Sequence, residues 1–253
     1  MTDLFDLDGR VALVTGASSG LGLRFARVLA DHGSRVAVVA RRADRLEALA
    51  DELGRDRCLP LVADVGDEAG VRAAVAKAVE AFGRLDVCVA NAGVSAVGPA
   101  EDETTETFRR VVEVNLTGLF TTDREAARVM LAQGSGSIVN VASALGLKGL
   151  GRVPQAGYTA SKGGVVNLTR ELAAQWARRG VRVNGIAPGW FPSEMTDPAL
   201  GDDGFQRFIR RTVPMGRAGA EDELDGVLLL LASDASRYMT GQTLAVDGGW
   251  TAV

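Results

Sequence analysis

The sequence predicts an α/β protein: a doubly wound, mostly parallel sheet of seven strands with helices on both faces, in a single domain spanning residues 1–253. Three observations predict it. Short runs rich in Val, Leu and Ala alternate with stretches of helical periodicity along the whole chain. A glycine-rich turn joins the first such run to the first helical stretch. The polar and glycine residues that break the pattern fall just after the apolar runs, where strand carboxyl ends form the binding crevice of such sheets.

Arg10–Thr15 reads as a buried parallel strand. Thr15-Gly-Ala-Ser-Ser-Gly-Leu-Gly22 follows, and then Leu23–His32 with an apolar helical face. Strand, glycine turn and helix make the context of a dinucleotide phosphate loop, the Rossmann-type arrangement. Gly16 permits the tight turn, Gly20 lets a diphosphate approach the backbone, and Gly22 lets helix and strand pack closely. The helix N-terminus supplies free N–H groups. Arg35–Ala40 is the second strand. An acid often follows it to bind a ribose 2′-hydroxyl; here Arg41 and Arg42 follow. A guanidinium fork suits a 2′-phosphate, so NADP(H) is expected over NAD(H). The bland alternative is that both arginines only open the next helix, where positive charge opposes the dipole.

Ala43–Leu53 is a helix, Cys58–Val62 the third strand, Val71–Phe82 a helix and Leu85–Ala90 the fourth strand. Thr105–Ala132 reads as one long helix containing Asn115, a poor helix former. Ser137–Val141 is the fifth strand, ending near Ser143, and Gly157–Arg179 the helix behind it. Val181–Ala187 is the sixth strand, Glu221–Ala232 a helix and Thr243–Val246 the last strand. No linker, repeat or low-complexity segment interrupts them.

Composition narrows the chemistry. The chain is 47% apolar with a net charge of −4, which argues against nucleic acid or an anionic membrane as partner. No apolar run reaches the length of a membrane span, and Met1–Gly9 lacks the basic region of a signal peptide. Cys58 and Cys88 read as reduced core residues, so a cytoplasmic protein is expected. The single histidine, His32, ends a helix, where it complements the dipole. With this one histidine at a helix end and no clustered ligands, neither a zinc site nor a Ser-His-Asp triad is expected.

Against that background Tyr158-Thr-Ala-Ser-Lys162 stands out, because the chain has only two tyrosines and three lysines. Residues i and i+4 share a helix face, so phenol and ammonium point the same way. A nearby positive charge favours phenolate and makes a tyrosine usable as a general acid or base.

Together, Thr15-Gly16-x-x-x-Gly20-x-Gly22, Asp64-Val65, Asn91-Ala92-Gly93, Asn115, Ser143, Tyr158-x-x-x-Lys162 and Pro188-Gly189 resemble the short-chain dehydrogenase/reductase family, from Gly9 to Trp250. The resemblance implies a hydride-transfer oxidoreductase like the carbonyl and 3-oxoacyl-carrier reductases of that family. It makes Tyr158 the proton donor to a carbonyl oxygen and Ser143 a second donor to it. Lys162 would lower the Tyr158 pKa and bind the nicotinamide ribose. Asn115 would anchor a water linking Lys162 to solvent. Asp64 would contact the adenine, with Val65 contributing backbone. Asn91, Ala92 and Gly93 would pack along the cofactor, with Ser18, Ser19 and Leu21 at the phosphates and Pro188, Gly189 and Phe191 at the nicotinamide end. Ser193 stands where the family often has a carboxamide-binding Thr.

The segment after Gly189 should form a lid, about residues 190–215, with Trp190, Phe191, Phe205 and Phe208 facing an apolar carbonyl compound. Ser95, Leu145, Gln155, Trp190, Phe191 and Phe205 are the expected substrate pocket. The bland alternative is that these aromatics only pack the lid. A free ketone or secondary alcohol ranks above a carrier-bound 3-oxoacyl group, because no cation lies in Gln133–Ser137; a sugar or polyol stays open. Small residues (Ala126, Ala127, Gly163, Gly164, Ala173, Ala174) together with the resemblance suggest a homotetramer or homodimer. Two rival readings are a binding-only regulatory protein, which has no need of the Tyr–Lys pair, and a nucleotide-sugar epimerase, which would want a larger C-terminal region.

Overall fold

Runs of Val, Leu and Ala build a single seven-stranded sheet: β1 (Val11–Thr15), β2 (Arg35–Ala40), β3 (Cys58–Val62), β4 (Val87–Ala90), β5 (Gly136–Val141), β6 (Val181–Pro188) and β7 (Thr243–Val246). The computed structural model describes residues 4–253; residues 1–3, the start of the Met1–Gly9 stretch, lie outside the described residues. The strand order is β3-β2-β1-β4-β5-β6-β7, and every pairing is parallel. The order reverses between β1 and β4, so a crevice opens at their carboxyl ends.

Successive side chains on a strand point to opposite faces. Ala12, Val14, Val36 and Val38 therefore meet α1 (Gly20–Asp31), α2 (Ala43–Leu53) and, near the C-terminus, the helix Asp225–Ala232. Val11, Leu13, Ala37 and Val39 meet α3 (Glu68–Phe82), Met130 of the helix Gly118–Gln133 and Trp176 of the helix Ala156–Trp176. The doubly wound expectation holds. Cys58 and Cys88 are free and buried; burial pushes the Cys58 thiol up to about 12 and the Cys88 thiol up as well. His32 caps α1, its Nδ1 2.8 Å from the Val28 carbonyl.

The long helix expected over Thr105–Ala132 is divided. α4 (Thr105–Val112) passes into a π turn at Glu113–Thr117, and α5 (Gly118–Gln133) continues from it. Asn115 sits in that turn with its side chain fully buried and bonded across to Val94. Extra-residue turns of this kind interrupt the helical ladder where a side chain is needed elsewhere. After α6 (Ala156–Trp176), two helices absent from the sequence reading follow β6: α7 (Asp197–Leu200) and α8 (Asp203–Thr212). Asp202 caps α8, accepting from Phe205 N at 2.7 Å. The last helix, α9, starts at Asp225, after turns at 221–224.

Of the six small residues expected at a subunit contact, four pack inside the chain. Ala126, Ala127 and Ala173 are buried against the sheet, and a Cβ on Gly164 would meet Leu116 Cδ2 at 2.8 Å; Ala174 is exposed.

Candidate active site

A cleft of about 590 Å³ opens at the strand carboxyl ends, lined by the glycine turn, the ends of β2 to β6 and residues 193–196. It gathers the expected cofactor residues from β1 to Ser193, with one exception: Gly22 stands behind the wall. Among the described residues no group of His, Cys, Asp or Glu could hold a metal, and no helix is long and apolar enough to cross a membrane.

At one end, Gly16 turns the chain with φ +68°. The Thr15 hydroxyl accepts from Asn91 N and Ala92 N at 3.0 and 3.2 Å, and Asn91 Nδ2 donates back to Thr15 O at 3.0 Å. The tips of β1 and β4 are thus stitched together behind the turn. Gly22 lies against this stitch: a Cβ there would sit 2.4 Å from both Asn91 Nδ2 and Gly16 O. Ser19, the residue before α1, makes no side-chain cap bond, and the first turn holds no acid. Free N–H groups and an unopposed helix dipole make this end fit for a diphosphate. Arg42 reaches over it. Its Nε donates to Ser18 Oγ at 3.1 Å and its Nη2 to Ser19 Oγ at 2.6 Å, while Nη1 lies 3.0 Å from Glu194. Arg41 is 72% exposed at its side chain and stands 3.6 Å from Asp64. The Asp64 carboxylate also accepts from Gly66 N at 3.0 Å, and Val65 is buried beside it.

At the other end, Ser143, Tyr158 and Lys162 line the cleft together. Ser143 Oγ accepts from Leu145 N at 3.1 Å. Lys162 is buried and donates to the Val141 carbonyl at 2.7 Å. Gly93 lies against Lys162 and Asn115: a Cβ there would stand 3.3 Å from Asn115 Oδ1 and 3.7 Å from Lys162 Nζ. Asn115 Nδ2 donates to Val94 O at 2.9 Å and to Ser161 Oγ at 3.1 Å; Ser161 in turn donates to Tyr158 O. The π turn and the helix bearing the Tyr–Lys pair are therefore pinned to one another.

The expected depression of the Tyr158 pKa is not found. Burial pushes the phenol up, and a hydrogen bond with Ser143 pulls only partly back. Lys162 itself is lowered to about 8, because its ammonium is desolvated. The Lys162 nitrogen lies 5.8 Å from the centroid of the Tyr158 ring. Desolvation is the larger influence on both groups.

Of the expected substrate-pocket residues, Ser95 and Phe191 border the cleft, whereas Leu145, Gln155, Trp190 and Phe205 do not; beside Tyr158 lies an apolar cluster. Trp190 packs edge-on against Phe205 at 4.9 Å and tilts against Trp250 at 5.4 Å, with Leu145 buried in the same cluster. Ser95 Oγ donates to Gln155 Oε1 at 2.9 Å, the polar pair of that side. Phe191 departs from Trp190 and Phe205. It borders the cleft, yet its ring packs in the opposite core, where a Cβ on Gly219 would meet Phe191 Cε1 at 2.3 Å. The C-terminus was not foreseen here: Lys148 Nζ donates to Trp250 O at 3.0 Å and to Val253 O at 2.8 Å, holding Trp250 in the cluster.

The family model described as enoyl-(acyl carrier protein) reductase matches residues 16–251. Galactitol 2-dehydrogenase (L-tagatose-forming) of Cereibacter sphaeroides is 43% identical, over 98% of this chain and 97% of that protein. Cis-4-hydroxycyclohexanecarboxylate dehydrogenase of Sinomonas cyclohexanicum is 41% identical, over 96% and 97%. A crystal structure of a gluconate 5-dehydrogenase from Burkholderia cenocepacia in complex with NADP and tartrate superposes with a TM-score of 0.94 at 38% identity, covering 99% of this chain and 98% of that one. This chain belongs to the short-chain dehydrogenase/reductase family. As a member it is an oxidoreductase that interconverts a secondary alcohol and a ketone with a nicotinamide cofactor. The sequence motifs and the doubly wound sheet of this short-chain dehydrogenase/reductase agree with that membership.

Proposed function

We propose that the protein is an NADP(H)-preferring dehydrogenase/reductase of a compact secondary alcohol or ketone, with Tyr158 as its proton-transfer group. The observation that carries this reading is the two-ended cleft: an uncapped helix start with Arg42 at one end, and Ser143, Tyr158 and Lys162 at the other. The cofactor supplies or takes the hydride. Tyr158 Oη donates a proton to the substrate oxygen in reduction and removes it in oxidation. Ser143 donates a hydrogen bond to the same oxygen, where negative charge grows as the hydride arrives. Lys162 holds the ribose and supports the phenol. The Asn115 side chain is engaged by Val94 and Ser161. The water leading from Lys162 to solvent is therefore assigned to the Asn115 main-chain carbonyl.

Residues 190–215 act as the lid of this one domain. The aromatic cluster of Trp190, Phe205 and Trp250, packed beside Tyr158, favours a substrate with an apolar face, such as a hydroxylated alicyclic ring. The Ser95–Gln155 pair supports a second reading, a polyol or sugar acid, whose hydroxyls would exchange into that bond. Buried free thiols fit work in the cytoplasm. A homotetramer or homodimer is proposed on the family's habit, with Phe108 and Phe120 exposed on α4 and α5.

Arg42→Ala should weaken NADPH binding about tenfold and change NADH binding little, because a charge-assisted phosphate contact is lost. Arg41→Ala should do the same more weakly, since its side chain is the more exposed. Fluorescence titration of both cofactors tests this; equal loss of both cofactors would refute the phosphate assignment.

The pH dependence follows from the two shifts. Oxidation needs the phenolate, and the phenol lies above its ordinary value. Lys162 loses its charge above about 8. So kcat/KM for oxidation should climb as pH rises from neutral into the alkaline range. That for reduction should hold level until the phenol ionises. An oxidation rate that declines from neutrality to mild alkali, in protein that stays folded, would contradict the assignment.

A further inference from the structure

The arginines at the phosphate end already hold an anion from the chain itself. Glu194 lies between β6 and α7, next to Ser193, and a Cβ on Gly20 would approach Ser193 Cβ to 3.1 Å. The segment therefore crosses the glycine turn. The Glu194 carboxylate accepts from Arg42 Nη1 at 3.0 and 3.2 Å and from Arg45 Nη1. Ser19 Oγ accepts from the same Arg42 at 2.6 Å. Two guanidiniums converging on one anion are a donor set that a phosphomonoester takes. Arg45 belongs to this set although nothing in the local sequence marks it.

We propose that Glu194 is an internal competitor of the NADP 2′-phosphate: it occupies Arg42 and Arg45 and thereby sets how strongly NADP(H) is preferred over NAD(H). This inference rests on the reading of Arg42 as the phosphate-binding residue. A 2′-phosphate must displace the carboxylate to reach the arginines. A cofactor with a free 2′-hydroxyl has no such group to bring and leaves the ion pairs in place. The bare arginines would discriminate more sharply than the intact protein does. Glu194 stays ionised over the working range, since its arginine partners hold its pKa down to about 2. The competition is therefore present at every pH at which the enzyme would be assayed.

The test is Glu194→Gln, which keeps size and removes charge. Dissociation constants for NADPH, NADH, 2′-AMP and 5′-AMP are measured by fluorescence or calorimetry at one ionic strength, with wild type and Arg42→Ala alongside. The proposal expects NADPH and 2′-AMP to bind about fivefold tighter to the variant, with NADH and 5′-AMP within about twofold of wild type. It is overturned if the NADPH-to-NADH ratio is unchanged. It is also overturned if both cofactors weaken together, which would make Glu194 a simple latch between lid and body. Arg42→Ala separates the two layers. If it abolishes the 2′-phosphate preference while Glu194→Gln leaves the ratio alone, the phosphate reading stands and the competitor fails. If Arg42→Ala leaves the preference untouched, the phosphate reading fails.

Discussion

Replacing Tyr158 with Phe is expected to lower turnover by about a thousandfold or more while cofactor binding stays within a few-fold of wild type. The ring of Tyr158 packs against the apolar cluster of Leu145, Phe205 and Trp250, and Phe preserves that packing. Only the hydroxyl goes, and with it the group proposed to move the proton. Ser143 remains to polarise the oxygen, so a residual rate should survive, and it should lack the alkaline rise expected of wild-type oxidation. Steady-state kinetics in both directions, beside a cofactor titration, checks this. Wild-type-like turnover in the variant would assign the proton transfer to another group. A loss of cofactor binding as large as the loss of rate would make Tyr158 a binding residue.

Gly22→Ala is expected to damage the cofactor end severely. The added methyl would sit 2.4 Å from Gly16 O and from Asn91 Nδ2. The Asn91 amide could swing away only by giving up its bond to Thr15 O, and Gly16 O belongs to the backbone of the turn itself. Overpacking of this kind costs about 1–3 kcal/mol. For a chain of this size that is a fall in Tm of about 3–10 °C. Because the displaced backbone is the turn proposed to bind the diphosphate, NADPH affinity should fall about tenfold or more. Thermal unfolding and NADPH titration report the two effects separately. An Ala variant with unchanged Tm and affinity would show that close helix–turn packing is not what this glycine serves.

Much of this architecture was legible in the sequence, and the reasons are physical. Strands such as Val11–Thr15 and Arg35–Ala40 were legible because buried parallel strands are short apolar runs with sharp polar ends. The Tyr158–Lys162 pair was visible because both residue types are rare in this chain and helical spacing puts them on one face. The direction of the Tyr158 shift was not, since desolvation depends on what the fold packs around the phenol. The π turn at Asn115 escaped because helical periodicity runs through it; the misplaced Asn was its one signal. α7 and α8 escaped because each is short and lies among Gly, Pro and Asp residues. Asp202 as a cap, with Phe205, Phe208 and Ile209 at helical spacing, could have revealed α8. Lys148 on the C-terminus and Glu194 on Arg45 join residues far apart in the chain, and no local pattern announces such contacts.

The most direct measurement mixes the protein with NADP and a panel of secondary alcohols at mildly alkaline pH and follows the absorbance of the reduced nicotinamide. The panel holds cis- and trans-4-hydroxycyclohexanecarboxylate, cyclohexanol, galactitol and gluconate. The matching ketones and a 3-oxoacyl thioester are run with NADPH. The account predicts hydride transfer with at least one alcohol–ketone pair, strongest for a ring substrate with an apolar face, and none detectable above background with Tyr158→Phe. Tight NADPH binding without transfer in either direction across the whole panel would contradict it and leave a protein that binds the cofactor without using it.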